Sequence, residues 1–97
     1  MMYNAKFELG QVVMTRGIAN TIADNEQFAK DVIKAFKRYC NADFSDMKHE
    51  EDVQLNIDAI EKGDDRIMAT YKTCEGDIWI ITEWDRSVTT ILFPSEY

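Results

Sequence analysis

Proline is almost missing from this sequence, and the residues that most often carry chemistry are scarce. There is one proline, Pro94, and one histidine, His49. The two cysteines, Cys40 and Cys74, lie far apart and form no CxxC pair, so free thiols are expected rather than a disulfide or a metal-ligand pair. No apolar run approaches the ~18 residues that a membrane helix needs. The opening MMYNAKFELG lacks the apolar stretch of a signal peptide. A cytoplasmic protein without a membrane partner is therefore expected. No helix-turn-helix, zinc-finger or ribonucleoprotein aromatic motif is found, and no catalytic signature. Internal repeats and low-complexity segments are also lacking.

Bases are missing from one stretch in particular. Residues 43–65 hold nine acids (Asp43, Asp46, Glu50, Glu51, Asp52, Asp58, Glu61, Asp64 and Asp65) against Lys48 and Lys62 alone. That imbalance equals the whole net charge of −7, so the rest of the chain is neutral. A local field of one sign can guide a partner, though it says nothing about fold.

What is present is a core. Of 97 residues, 45% are apolar, with two Trp, five Phe and four Tyr, which suits one small domain spanning 1–97 with residues 1–5 loose. The organising stretch is 77–94, DIWIITEWDRSVTTILFP. Ile78 to Thr82 carries apolar side chains on both faces, as in a strand covered on both sides. A polar turn, Glu83 to Ser87, leads to a second β-branched run closed by Pro94, which cannot donate to a ladder. Before it, residues 66–73 alternate as a strand, and Gly76 supplies a positive φ to the hairpin loop.

Earlier in the chain, residues 11–15 form a candidate strand entered through Gly10 and broken by Gly17, with one helical turn after it. Asp24 and Asn25 start an amphipathic helix whose apolar positions are Phe28, Val32, Phe36, Tyr39 and Cys40, with Ala29 and Ile33 beside them. Ser45 or Asp46 is a candidate cap for a second helix. Its first turn carries Glu50, Glu51 and Asp52, its buried stripe is Val53, Ile57 and Ile60, and Gly63 ends it. The expected fold is α+β: a small, mostly antiparallel sheet, made of a C-terminal three-stranded meander plus an N-terminal strand beside the last one, with two main helices on one face.

Four groupings could act. The acidic segment offers Asp46, Glu50, Glu51, Asp58 and Glu61 as a surface for a basic protein. Glu83, Trp84, Asp85 and Arg86 crowd one turn, where paired carboxylates and an Arg could do acid–base work, although no histidine or nucleophile accompanies them. Lys30, Lys34, Lys37 and Arg38 form a basic helix face that could touch phosphates, but the acidic chain as a whole repels nucleic acid, so direct binding is not expected. His49 is flanked by acids, yet no second His or Cys stands at ligand spacing, so it reads as a solvated helix start and no metal or cofactor is expected. Of Trp79 and Trp84, one is expected in the core and the other as an exposed anchor. Homo-oligomerisation stays open.

The segments FELGQVVMTRG, DFSDM with EED, and above all DIWIITEWDRSVTTILFPSEY resemble a family of small bacterial proteins common on plasmids and other mobile elements. Its members are labelled plasmid-related proteins or "type I restriction endonuclease subunit M". The resemblance spans nearly the whole chain and implies a mobile-element setting, with no particular activity or site residue. A methyltransferase reading does not fit. That chemistry needs a doubly wound sheet with a glycine-rich turn and an Asn- or Asp-Pro-Pro-aromatic motif, and a chain with one proline has none. The leading expectation is a non-enzymatic protein-interaction module presenting its acidic surface to a basic, DNA-handling or defence protein of the host. The alternatives are a small enzyme or ligand binder using the Glu83–Asp85–Arg86 turn, and a nucleic-acid-associated protein using the basic helix.

Overall fold

Two antiparallel ladders and one parallel one hold the sheet together. The computed structural model describes residues 5–97. The expected loose segment lies outside these residues except for Ala5, which packs half-buried against the core. The strands are β1 (Gln11–Met14), β2 (Ile67–Thr73), β3 (Gly76–Thr82) and β4 (Val88–Leu92). Their order is β1-β4-β3-β2. β2, β3 and β4 form the antiparallel meander, and β1 joins β4 in parallel. The helices are α1 (Arg16–Asp24), α2 (Glu26–Cys40) and α3 (Glu50–Lys62), and Pro94–Glu96 forms a closing 310 turn. The fold is α+β with a mostly antiparallel sheet.

β3 is internal, and Ile78, Ile80, Ile81 and Thr82 are all buried. The register lines up Tyr71 with Ile78, Ala69 with Ile80, and Ile80 with Ile91. With Ile67, these residues form the sheet side of the main core. Phe28, Val32, Ala35 and Tyr39 of α2 and Ile18 of α1 form the helix side. Tyr39 is the hub, edge-on to Phe7, Phe44 and Tyr71.

A chain of hydroxyls crosses this core. Thr89 Oγ1 donates to the Leu9 carbonyl at 2.7 Å. That uses its only proton, so Thr82 must donate to Thr89 (2.7 Å), and Tyr39 Oη must then donate to Thr82 (2.8 Å) or to the Ile67 carbonyl (3.2 Å). Burial, the largest influence, pushes the Tyr39 hydroxyl's pKa well above its ordinary value. The network ties β3 and β4 to α2 and to the segment entering β1.

Three expectations need correction. α1 is a nine-residue helix rather than a single turn. Thr15 caps it, and the Glu96 carboxylate accepts from Thr15 Oγ1 at 2.6 Å and from the Gly17 N–H at 3.1 Å. This negative charge at the helix N-terminus comes from the other end of the sequence. α3 starts after His49, whose side chain makes no cap, so neither Ser45 nor Asp46 caps the helix. The buried residues of α3 are Asn56 and Ala59, with Val53 and Ile60 half-buried, whereas Ile57 is 37% exposed.

That last shift has a physical reason. α3 packs Ala59, Val53 and Ile60 on the core, but it also lies along β2, an edge strand, and there it meets outward peptide groups. In an antiparallel ladder, alternate residues direct their N–H and C=O away from the partner strand. Asn56 Nδ2 donates to the Met68 carbonyl at 2.8 Å, and Met68 N–H donates to Asn56 Oδ1 at 3.2 Å. An amide answers both groups where an aliphatic side chain would leave them unpaired.

Gly10 has a positive φ of 63°. A side chain there would collide with the carbonyl oxygens of Arg86 and Ser87, so the β3–β4 turn packs directly on the chain entering β1.

Candidate functional site

The acids of residues 43–65 divide into two populations. Asp43 and Asp46 converge on Arg38, at the C-terminal end of α2. Arg38 Nε donates to Asp43 Oδ2 at 2.9 Å, while Nη1 and Nη2 reach the two oxygens of Asp46 at 3.1 Å each. Nη2 also donates to Ser45 Oγ, and the guanidinium stands 5.1 Å from the Tyr71 ring centroid. Asp46 accepts from the Lys72 N–H at 3.2 Å as well, filling a second outward position on β2. Hydrogen bonds from Arg38 first, then from Ser45, hold Asp43 well below the usual carboxylate range. Arg38 likewise lowers Asp46, against the opposing effect of burial. Asp43 and Asp46 in turn raise Arg38.

Two sequence-level assignments therefore change. Asp46 belongs to a partly buried ion-pair cluster rather than to a free acidic surface. Arg38 commits its guanidinium to the same cluster while still bordering the lysines on the outer side of α2. Lys30, Lys34 and Lys37 remain on the outer side of α2 around Ile33, which is exposed instead of packing inward. Lys30 pairs with Glu26 at 3.8 Å.

The second population sits on α3. Glu50, Glu51, Asp52 and Glu61 are exposed. Among the described residues, Asp58 accepts only from Gln54, one turn earlier, at 3.0 Å. The ion pairs among the described residues are Glu26–Lys30 and those of Arg38 with Asp43 and Asp46, so none neutralises α3. Leu55 is 63% exposed on this helix.

A groove of about 550 Å3 opens between the start of α3 and the sheet face turned away from the core. Met68, Thr70 and Trp79 form its floor, and Leu55 and Asp52 line its α3 side. Trp79 is half-buried, edge-on to Tyr97 at 5.5 Å, and is not part of the main core. His49 also lines the groove. Among the described residues, no group of three or more His, Cys, Asp or Glu side chains is placed to hold a metal ion.

The Glu83–Arg86 turn is held by its arginine. Arg86 adopts a φ of 60°, and its guanidinium donates to the carbonyls of Ala59 (2.8 Å), Asp65 (2.6 Å), Glu83 and Trp84 (3.2 Å each). These bonds tie the turn to the end of α3 and commit the guanidinium to backbone. Asp85 accepts from the Ser87 N–H, and the Ser87 hydroxyl first, then that N–H, lowers its pKa. Trp84 projects from the turn, 64% exposed.

Sequence reasoning missed Asn56 and the role of Arg38. Faint signals exist for both. Asn56 falls between Val53 and Ala59 on the inward face at helical spacing, and Arg38 ends a helix just before two aspartates three residues apart.

Comparison of the chain with protein-family models, with curated proteins and with solved structures finds no match. Among the described residues, no helix is long and apolar enough to cross a membrane.

Proposed function

We propose that this protein is a non-enzymatic interaction module that docks a basic protein partner on the outer face of α3 and the groove beside it. The observation that carries the reading is the division of the acids. Arg38 pairs with both Asp43 and Asp46 in a partly buried cluster, whereas Glu50, Glu51, Asp58 and Glu61 pair with no base among the described residues. Clustered like charges repel and add nothing to the fold beyond a favourable first turn. Leu55, Met68 and Trp79 supply an apolar contact next to that field, the usual composition of a binding centre with a charged rim.

The resemblance to mobile-element proteins suggests the kind of partner: a cytoplasmic host protein that handles DNA or defends against it, with a basic groove of its own. The partner, rather than this acidic chain, would contact nucleic acid.

The test uses the partner captured from a host cell and titrated with purified protein. Leu55→Ser should weaken binding about tenfold, the effect of losing ~1.4 kcal/mol at an interface centre. Trp84→Ser, in the β3–β4 turn and outside the groove lining, should leave affinity unchanged. The reverse pattern would move the binding surface to the β3–β4 turn.

A further inference from the structure

The two edges of the sheet are finished differently. On β2, Asn56 occupies the outward N–H and C=O of Met68, and Asp46 occupies the outward N–H of Lys72. β1 is finished without such cover. The Gln11 N–H bonds to the Ser87 carbonyl at 3.1 Å and the Thr15 N–H to Ile91 at 3.0 Å, which fixes the phase of the strand. Alternation then turns the N–H and C=O of Val12 and Met14 away from β4. Among the described residues, no group outside the sheet bonds to them. The strand is QVVM, with no charge and no proline to blunt it, and Met14 is 46% exposed.

We propose that β1 is a self-association edge, on which a second copy of this chain pairs antiparallel about a two-fold axis at Val13. The outward groups lie symmetrically about Val13, so the strand is its own complement. Val12 exchanges both backbone bonds with Met14 of the second copy, and Met14 does so with Val12. Val13 faces its own equivalent, at the closest cross-strand approach of side chains.

Charge favours a second copy as the occupant. The acidic excess lies wholly in residues 43–65, and α3 runs along the opposite edge of the sheet. The repulsion that a net charge of −7 would impose is therefore kept at the far ends of the pair. Glu8 and Arg16 flank β1 on its two sides, so antiparallel pairing brings ends of opposite sign together. The resulting dimer has one continuous sheet and carries an acidic helix at each end. This inference stands apart from the partner surface on α3.

A strand this short makes a modest interface, so association should rise with concentration. Sedimentation velocity over a wide concentration range should show the average mass climbing toward twice that of the single chain. Val13→Lys sets two ammonium groups against each other, and Val12→Pro removes an outward N–H without touching the ladder to β4. Both variants should remain monomeric at concentrations where wild type pairs, with unchanged circular dichroism. A wild type monomeric throughout, or pairing that survives in both folded variants, would overturn the proposal. Should the variants unfold, hydrogen exchange of wild type decides. The Val12 and Met14 amides should exchange more slowly at high concentration, and equal exchange at high and low concentration overturns the proposal.

Discussion

Asn56 and Met68 are joined as two strands would be: the side-chain amide of one meets both backbone groups of the other, at 2.8 and 3.2 Å. The only buried amide side chain of α3 thus completes the edge of β2, and Asn56 is itself only 5% exposed. Edge strands offer unpaired peptide groups to other chains, and covering them with a helix is one of the known remedies.

Asn56→Leu should consequently destabilise the fold even though it adds apolar surface to a helix. Stranding the Met68 N–H and C=O should cost about 1–3 kcal/mol, the range for an unsatisfied buried polar group. Urea melts measure it. An unchanged midpoint would mean that β2 does not depend on the amide.

The Arg38 cluster should make stability sensitive to acid. Asp43 and Asp46 are held below their ordinary pKa values, chiefly by Arg38. In the unfolded chain they titrate near the usual value of about 3.9. A depressed folded pKa contributes stability that is fully present above the unfolded value and is lost as pH falls through the folded one. Melting temperature should therefore drop below about pH 4. Asp43→Asn with Asp46→Asn should lower stability at neutral pH and flatten the acid limb. Both carboxylates keep some contact with solvent, so the effect per pair is screened. Parallel acid limbs in thermal melts would contradict the assignment.

The hydroxyl chain predicts an order between two conservative substitutions. Thr82→Val leaves Tyr39 with the Ile67 carbonyl and Thr89 with the Leu9 carbonyl, so no donor or carbonyl is stranded. Thr89→Val removes the hydroxyl that donates to the Leu9 carbonyl. Thr82 can turn its proton toward Tyr39, but the Leu9 carbonyl loses that donor. Thr89→Val should cost more than Thr82→Val, by about 1 kcal/mol, and equal losses in urea melts would refute the proton order from Tyr39 through Thr82 to Thr89.

The elements built on side-chain period were legible in the sequence. Alternation marked β2, a doubly apolar run marked β3, and the spacing from Phe28 to Cys40 marked α2. The parts that were not legible depend on backbone groups or on distant residues. Asn56 is inward because β2 has an edge to satisfy, which no helical periodicity records. Arg38 shares a stripe with three lysines, and only the loop folding back as Asp43 to Asp46 distinguishes it. α1 extends past one turn where Glu96, from the far end of the chain, meets its N-terminus. The acidic surface was legible as a count of charges. Separating Asp46 from Glu50, Glu51, Asp58 and Glu61 required knowing where Arg38 lies.

The charge on α3 can be tested against the partner directly. Glu51, Asp58 and Glu61 are replaced together by Lys. They lie outside the Arg38 cluster and make no ion pair among the described residues, so the fold should survive at a cost of about 0.5 kcal/mol or less per site. The measurement is the association rate of wild type and variant with the captured partner at two ionic strengths. A steered encounter should be much slower in the variant at low salt, with the difference shrinking as salt rises. Equal association rates for a folded variant at both ionic strengths would contradict an acidic docking surface on α3.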